Sequence, residues 1–416
     1  MTSQVCLLNE EGVAVASDTL VCLSGRGTSK TIESSEKVLT LGPDHRILML
    51  TSGSARFMGV PHTVLVGEFA ASLTEPLDSV ATYRNHYVQF LARQTALFTP
   101  QQQLDQMRVW LREFYVMVCS RIQTRIEADL SVDEPWDSPS MQFVVNDEVR
   151  DVLAELEKRP VLPGISWQSD AAYLRKHRDV IAAEFAEVFD GLPRTVAADE
   201  ILLTQVPPLI LRTANDWDRN GAVVFVGFGS RSLTPALEVL ELQGLVNKVV
   251  RRQEPEGRSV GEEWPAVMAS FGQDSSIRAL VHGYAPPISA HLHDHLDEML
   301  DRMPPAPPIS DEHAGDDPDD YVHTSAPLTR QQAHRSLSSA LEQAGGSHYL
   351  WAALDTVSAL PRLQLARVAE QLVQVQALGS FLARGVPTVG GDIEVAVITR
   401  RDGVQWVRRV TAPTAA

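Results

Sequence analysis

Cysteine, positive charge and long apolar runs are all scarce in this sequence. Its three cysteines, Cys6, Cys22 and Cys119, form an odd and widely spaced set. That excludes a disulfide framework and fits free thiols in a reducing compartment. Lysine and arginine number 36 against 53 aspartates and glutamates, a net charge of −17. Binding nucleic acid needs a basic stripe, so no nucleic-acid partner is expected. No apolar run approaches the ~18–20 residues that span a bilayer, and the N-terminus has no basic-then-apolar leader. The expectation is a cytoplasmic protein with no membrane partner.

The composition that remains is globular, 44% hydrophobic and 21% charged over 416 residues. That length suits a large domain with an insertion, or two to three domains. Strand patterns at 4–8 and 13–17 flank the turn Asn9-Glu10-Glu11-Gly12, and those at 37–41 and 46–51 flank Gly42-Pro43-Asp44-His45. A helical stretch is expected from 53 to 73. Apolar residues three and four apart then predict amphipathic helices at 80–97, 101–130, 148–156 and 171–189.

Strand character returns at 221–229 and 236–242, followed by an apolar stretch at 264–271 and a helix at 274–282. Proline, aspartate and histidine crowd 303–329, which reads as a solvated linker. A long helix at 363–382 precedes a strand at 392–399, the Asp402-Gly403 turn and a last strand at 404–410. The implied organisation is a core in three parts, 1–73, 216–302 and 330–416. A helical insertion at 74–215 and an acidic linker at 303–329 separate them.

Met1-Thr2 carries a chemical possibility. Initiator methionine is trimmed when a small residue follows, which would leave Thr2 with a free α-amine. Such an amine titrates near 7.7–8.0 and sits on the same residue as a hydroxyl, so one residue holds both nucleophile and base. It works only if the first strand is ordered. The pair alone is common by chance; the residues downstream give it weight.

Thr2, Gly12, Val13-Ala14-Val15-Ala16-Ser17-Asp18, Lys37-Val38-Leu39-Thr40-Leu41 and Ser52-Gly53-Ser54-Ala55 follow one another at a characteristic spacing. In this the sequence resembles proteasome β-subunits and their bacterial HslV relatives, in the N-terminal-nucleophile (Ntn) hydrolase superfamily. Gly390-Gly391-Asp392-Ile393-Glu394-Val395-Ala396-Val397 resembles that family's late strand. The resemblance covers roughly 1–60, 220–285 and 345–412. It implies an α+β fold, a four-layer αββα sandwich, here with a large helical insertion. Thr2 would be the nucleophile, Lys37 the cation that favours its deprotonated forms, Asp18 the partner of Lys37, and the Gly53 amide an oxyanion donor.

The resemblance further implies a peptide or protein substrate, self-assembly into rings and an ATPase partner. The family's Asp-x-x-Ser is replaced by Val386-Pro387-Thr388-Val389, and Phe271 stands where it has a supporting serine. Ser270 and Gln273 are the residues available to substitute, with Ser270 the candidate. The expected function is hydrolysis of amide (peptide) bonds by Thr2. Beside it stand two alternatives, a catalytically silent structural or interaction subunit, which the missing Asp-x-x-Ser supports, and a dedicated amidase or transpeptidase.

Other motifs carry less. His291 and His295 with Asp294 and Glu298 have metal-ligand spacing but read as a solvated helix start. Asp316-Asp317-Pro318-Asp319-Asp320 lacks the glycine and glutamate of a calcium loop. Gly227-Phe228-Gly229-Ser230 lacks the lysine of a phosphate loop. Cys6 shares a strand face with Thr2 and reads as a packed thiol. No metal or cofactor is expected.

Overall fold

The computed structural model describes residues 2–25, 28–33, 37–129, 135, 138–165, 167–214, 221–261, 264–302, 329–383 and 385–410. Met1, whose removal the chemistry requires, lies outside these residues, as does the expected linker apart from Thr329.

The fold is mixed α and β, with antiparallel sheets. In the first sheet the strands run in the order Val267–Gly272, Ser3–Asn9, Gly12–Asp18, Ile393–Thr399, Gly403–Arg408. In the second the order is Val249–Gln253, Ala236–Val246, Gly221–Gly227, Ile47–Gly53, Val38–Thr40, and Arg258–Ser259 also pairs with Ala236–Val246. Neighbouring strands in both sheets are antiparallel.

Both faces of the central strands are buried, so they read as unbroken apolar runs such as Val5-Cys6-Leu7-Leu8. Alternation sends successive side chains to different clusters. Cys6, Leu8, Val13, Val15 and Ile398 of the first sheet meet Leu48, Leu50, Val224 and Val226 of the second. Val5, Leu7, Ala14, Ala16 and Val395 point the other way, onto helices Ser275–His282, Trp351–Ser358 and Arg362–Leu382. On the outer face of the second sheet, Phe225, Leu240 and Met49 pack against helices His62–Ser72 and Val80–Arg93. Helix Val80–Arg93 thus covers a sheet, although it falls inside the 74–215 segment.

The helices between Pro100 and Arg212 build a separate apolar cluster around Trp110, Phe114, Tyr115, Phe185 and Phe189. It meets the second sheet where Trp110 lies against Gly244; a Cβ there would come within 2.7 Å of the indole. Gly244 sits at a bulge with φ 145°, so close approach and backbone shape both favour glycine. Arg251 and Asp170 form a buried ion pair across the same junction at 3.2 Å.

The expected helix over 53–73 is corrected. Residues Arg56–Phe57 and Val60–Pro61 form a short hairpin, and the helix begins at His62. Met58 (φ 47°) and Gly59 (φ 84°) make its turn, and Pro61, which has no N–H and a fixed φ, can precede a helix but not continue one. The paired strands Leu20–Gly25 and Thr28–Glu33 were not anticipated. Among the described residues no helix is long and apolar enough to cross a membrane.

Candidate active site

Thr2 is 7% exposed and immediately precedes the first strand. Its carbonyl accepts the Gln273 amide hydrogen at 2.7 Å. Gly272, with φ 77°, passes so close that a Cβ there would lie 2.1 Å from the same carbonyl oxygen. Glycine is therefore required beside Thr2.

The next amide, Ser3 N, donates to Asp18 Oδ1 at 2.9 Å. Lys37 Nζ donates to that same oxygen at 2.7 Å and to Leu20 O at 2.6 Å. Gly390 N donates to Asp18 Oδ2 at 3.2 Å. Asp18 and Lys37 are both buried. A carboxylate with three donors and an ammonium with two acceptors is the condition under which burying both charges is tolerable. The structure thus brings Thr2, Asp18 and Lys37 to one place: the Thr2–Ser3 peptide and the lysine share an acceptor.

Gly53 ends the strand whose register sets it near Lys37. Thr51 N donates to Lys37 O at 3.1 Å, and Gly53 follows two residues later with φ 83°. Gln4, fully buried, places its amide nitrogen 3.3 Å from Lys37 O and 3.2 Å from Thr51 O.

Ser270 is not part of this group. It pairs with Val5 in register, so its side chain lies on the outer face of the sheet, and its hydroxyl donates to Asp274 at 2.9 Å. Phe271 takes the inward position opposite Gln4. Gln273 is closer to the site: besides its amide bond to Thr2, its side-chain oxygen accepts from Thr388 Oγ1 at 2.5 Å. That joins the 386–389 segment to the Thr2 backbone.

Glu394 was missed by the sequence reading. It is buried in register with Ser17 on the inter-sheet face. Burial pushes its carboxyl up to about 7, against the opposing pull of a backbone hydrogen bond from Val410 and the charges of Arg409 and Lys37. A glutamate at an inward position between Ile393 and Val395 was the signal available.

Burial raises the Cys6 thiol's pKa, as in a packed core residue. His291 and His295 are exposed, and among the described residues no group of three ligands is placed to hold a metal. A surface cavity of about 700 Å³ lies at Glu10, Glu11, Arg362 and Asp402, the opposite end of the first strand from Thr2.

No protein-family model matches the sequence, and no curated protein matches it. A solved structure of the Gly-1 mutant of Anbu from Hyphomicrobium sp. strain MC1 is similar at 11% identity and a TM-score of 0.25, over 99% of this chain and 88% of that one. The resemblance to proteasome β-subunits and HslV is corrected accordingly: no family model carries it, and that solved structure is an Anbu chain. A superposition that weak carries no argument about fold or activity, so function rests on the geometry at Thr2.

Proposed function

We propose that the chain hydrolyses amide bonds, with Thr2 as nucleophile once Met1 is removed, on a four-layer αββα sandwich. The observation that carries this reading is the shared acceptor: Ser3 N and Lys37 Nζ both bond Asp18 Oδ1. It ties the Thr2–Ser3 peptide to a buried, paired cation.

In this reading Thr2 Oγ attacks the substrate carbonyl carbon and passes its proton to its own α-amine. The Lys37 charge favours the neutral amine and the developing alkoxide, and Asp18 keeps that charge in place. The Gly53 amide donates to the oxyanion; one such donor contributes about 2.7–4 kcal/mol. Collapse of the tetrahedral intermediate breaks the amide C–N bond, and the leaving amine takes the proton. Water then attacks the threonine ester and releases the acid. In this reading segments 1–73, 216–302 and 330–416 form the catalytic core together with helix Val80–Arg93, and the rest of 74–215 is the insertion.

The silent alternative has its own support, since Ser270 faces away and Val386 and Val389 carry no polar group. One experiment separates the two. A peptide epoxyketone needs both the hydroxyl and the free amine of an N-terminal threonine. The hydrolase reading expects one adduct by intact mass on the wild type and none on Thr2→Ala. An unreactive wild type whose mass shows Met1 removed would favour the silent protein.

A further inference from the structure

Gln4 lies on the inter-sheet face of the first strand, two residues past Thr2 and fully buried. The next inward residues on that strand, Cys6 and Leu8, belong to the apolar cluster between the sheets. An amide in this row is therefore out of pattern. Its side-chain oxygen has no hydrogen-bond partner among the described residues. A buried, half-satisfied amide is a poor choice for stability.

The nitrogen end is well occupied. Gln4 Nε2 lies 3.2 Å from Thr51 O, 3.3 Å from Lys37 O and 3.4 Å from Ser17 Oγ. An amide nitrogen has two hydrogens, and the two carbonyls are the nearer acceptors. Both carbonyls belong to the second sheet, where Thr51 N itself donates to Lys37 O. One backbone junction thus carries Lys37 directly and Gly53 two residues on, while Thr2 belongs to the first sheet.

Further along these strands the sheets meet through apolar side chains. Such contacts are non-directional and leave small sliding movements cheap, whereas a hydrogen bond sets distance and direction. The Asp18–Lys37 pair also crosses between the sheets, but it holds the ammonium at the end of a flexible side chain. Gln4 holds the backbone.

We propose that Gln4 is a positioning residue: its side-chain amide fixes the Lys37 and Thr51 backbone to the Thr2 strand, and so sets the cation and the Gly53 amide against the nucleophile. This rests on the Thr2 hydrolase reading. Substrate does not touch Gln4, so its loss alters the chemical step and spares binding.

Labelling by a peptide epoxyketone tests this in the full-length chain, with the inactivation rate constant kinact and the binding constant KI measured across pH. Gln4→Met keeps the length and removes both donors. The expected result is a folded protein with KI within about twofold and kinact lower by about 100-fold, the cost of misplacing reacting groups by about 1 Å. The acid limb of its kinact profile also moves, because Lys37 no longer sits at its wild-type distance from the Thr2 amine. Val5→Ala, on the opposite face of the same strand, lowers Tm and leaves kinact unchanged.

A folded Gln4→Met with wild-type kinact and pH profile overturns the proposal while leaving the hydrolase reading intact. An unreactive wild type removes both. Should Gln4→Met fail to fold, solvent exchange of the Gln4 side-chain amide in the wild type decides. Strong protection supports the clamp, and exchange at the rate of a free amide refutes it.

Discussion

The space between the two sheets has two unlike ends. Towards the Asn9–Gly12 turn, the strands fill it with Leu8, Val13, Leu48, Val226 and Ile398. Towards Thr2, the same strands on the same face carry Gln4, Ser17 and Glu394, with Asp18 and Lys37 beside them. Period-two alternation dictates the orientation at both ends, so strand geometry does not explain the change. Apolar side chains would be more stable at the second end too. Buried groups of that kind, convergent on Thr2, are what the proposed chemistry needs and what folding alone does not.

A second buried ion pair sharpens the point. Arg251 and Asp170 join helix Trp167–Lys176 to the second sheet, yet among the described residues Arg251 Nε, Arg251 Nη1 and Asp170 Oδ1 lack partners. Burial pulls that guanidinium down to about 10 despite Asp170. Asp18, by contrast, has both oxygens occupied. The pair at Thr2 is the more completely built of the two.

The contrast between the ends can be broken by substitution. Lys37→Met leaves Asp18 as an uncompensated buried charge; it should abolish epoxyketone labelling and cost about 3–5 kcal/mol in denaturant unfolding. Leu8→Ala at the apolar end should cost about 2–5 kcal/mol and leave labelling per folded molecule unchanged. If Leu8→Ala silenced labelling as Lys37→Met does, the division between the ends would be lost.

Glu394 gives a pH signature. Its folded pKa of about 7 stands above the ordinary 4.5, so the folded state binds the extra proton. Stability contributed by this group is full below about 4.5, falls as pH rises towards 7 and is lost above it. The shift corresponds to a loss on the order of 3 kcal/mol. Glu394→Gln should flatten the decline in Tm between pH 5 and 8, and an unchanged slope would remove Glu394 from the account. The smallest effect is expected from Ser270→Ala, which faces away from Thr2: at most about 1 kcal/mol for a lost hydrogen bond, and labelling as in the wild type.

Much of the scaffold was legible because doubly buried strands announce themselves. Val5-Cys6-Leu7-Leu8 and Val13-Ala14-Val15-Ala16 admit little else, and the Asp402-Gly403 turn closes the final hairpin. Asp18 and Lys37 were named only through the resemblance, which pairs them; the structure shows their ion pair and no role in catalysis. Ser270 misled because one residue of strand register decides its face, and an apolar run such as 264–271 does not reveal register. At 53–61 the expected helix gives way to a hairpin whose turn depends on backbone conformations at Met58 and Gly59. Gln4 and Glu394 were visible as polar residues in apolar strands. Their meaning needed the facing sheet, which no local pattern supplies.

Peptide mapping of the wild-type chain after epoxyketone treatment tests the central claim most directly, because it reads the state of the terminus and the site of reaction together. The account predicts an N-terminal peptide that begins at Thr2, lacks Met1 and carries the whole adduct. A retained Met1, or modification at any other residue, would contradict it.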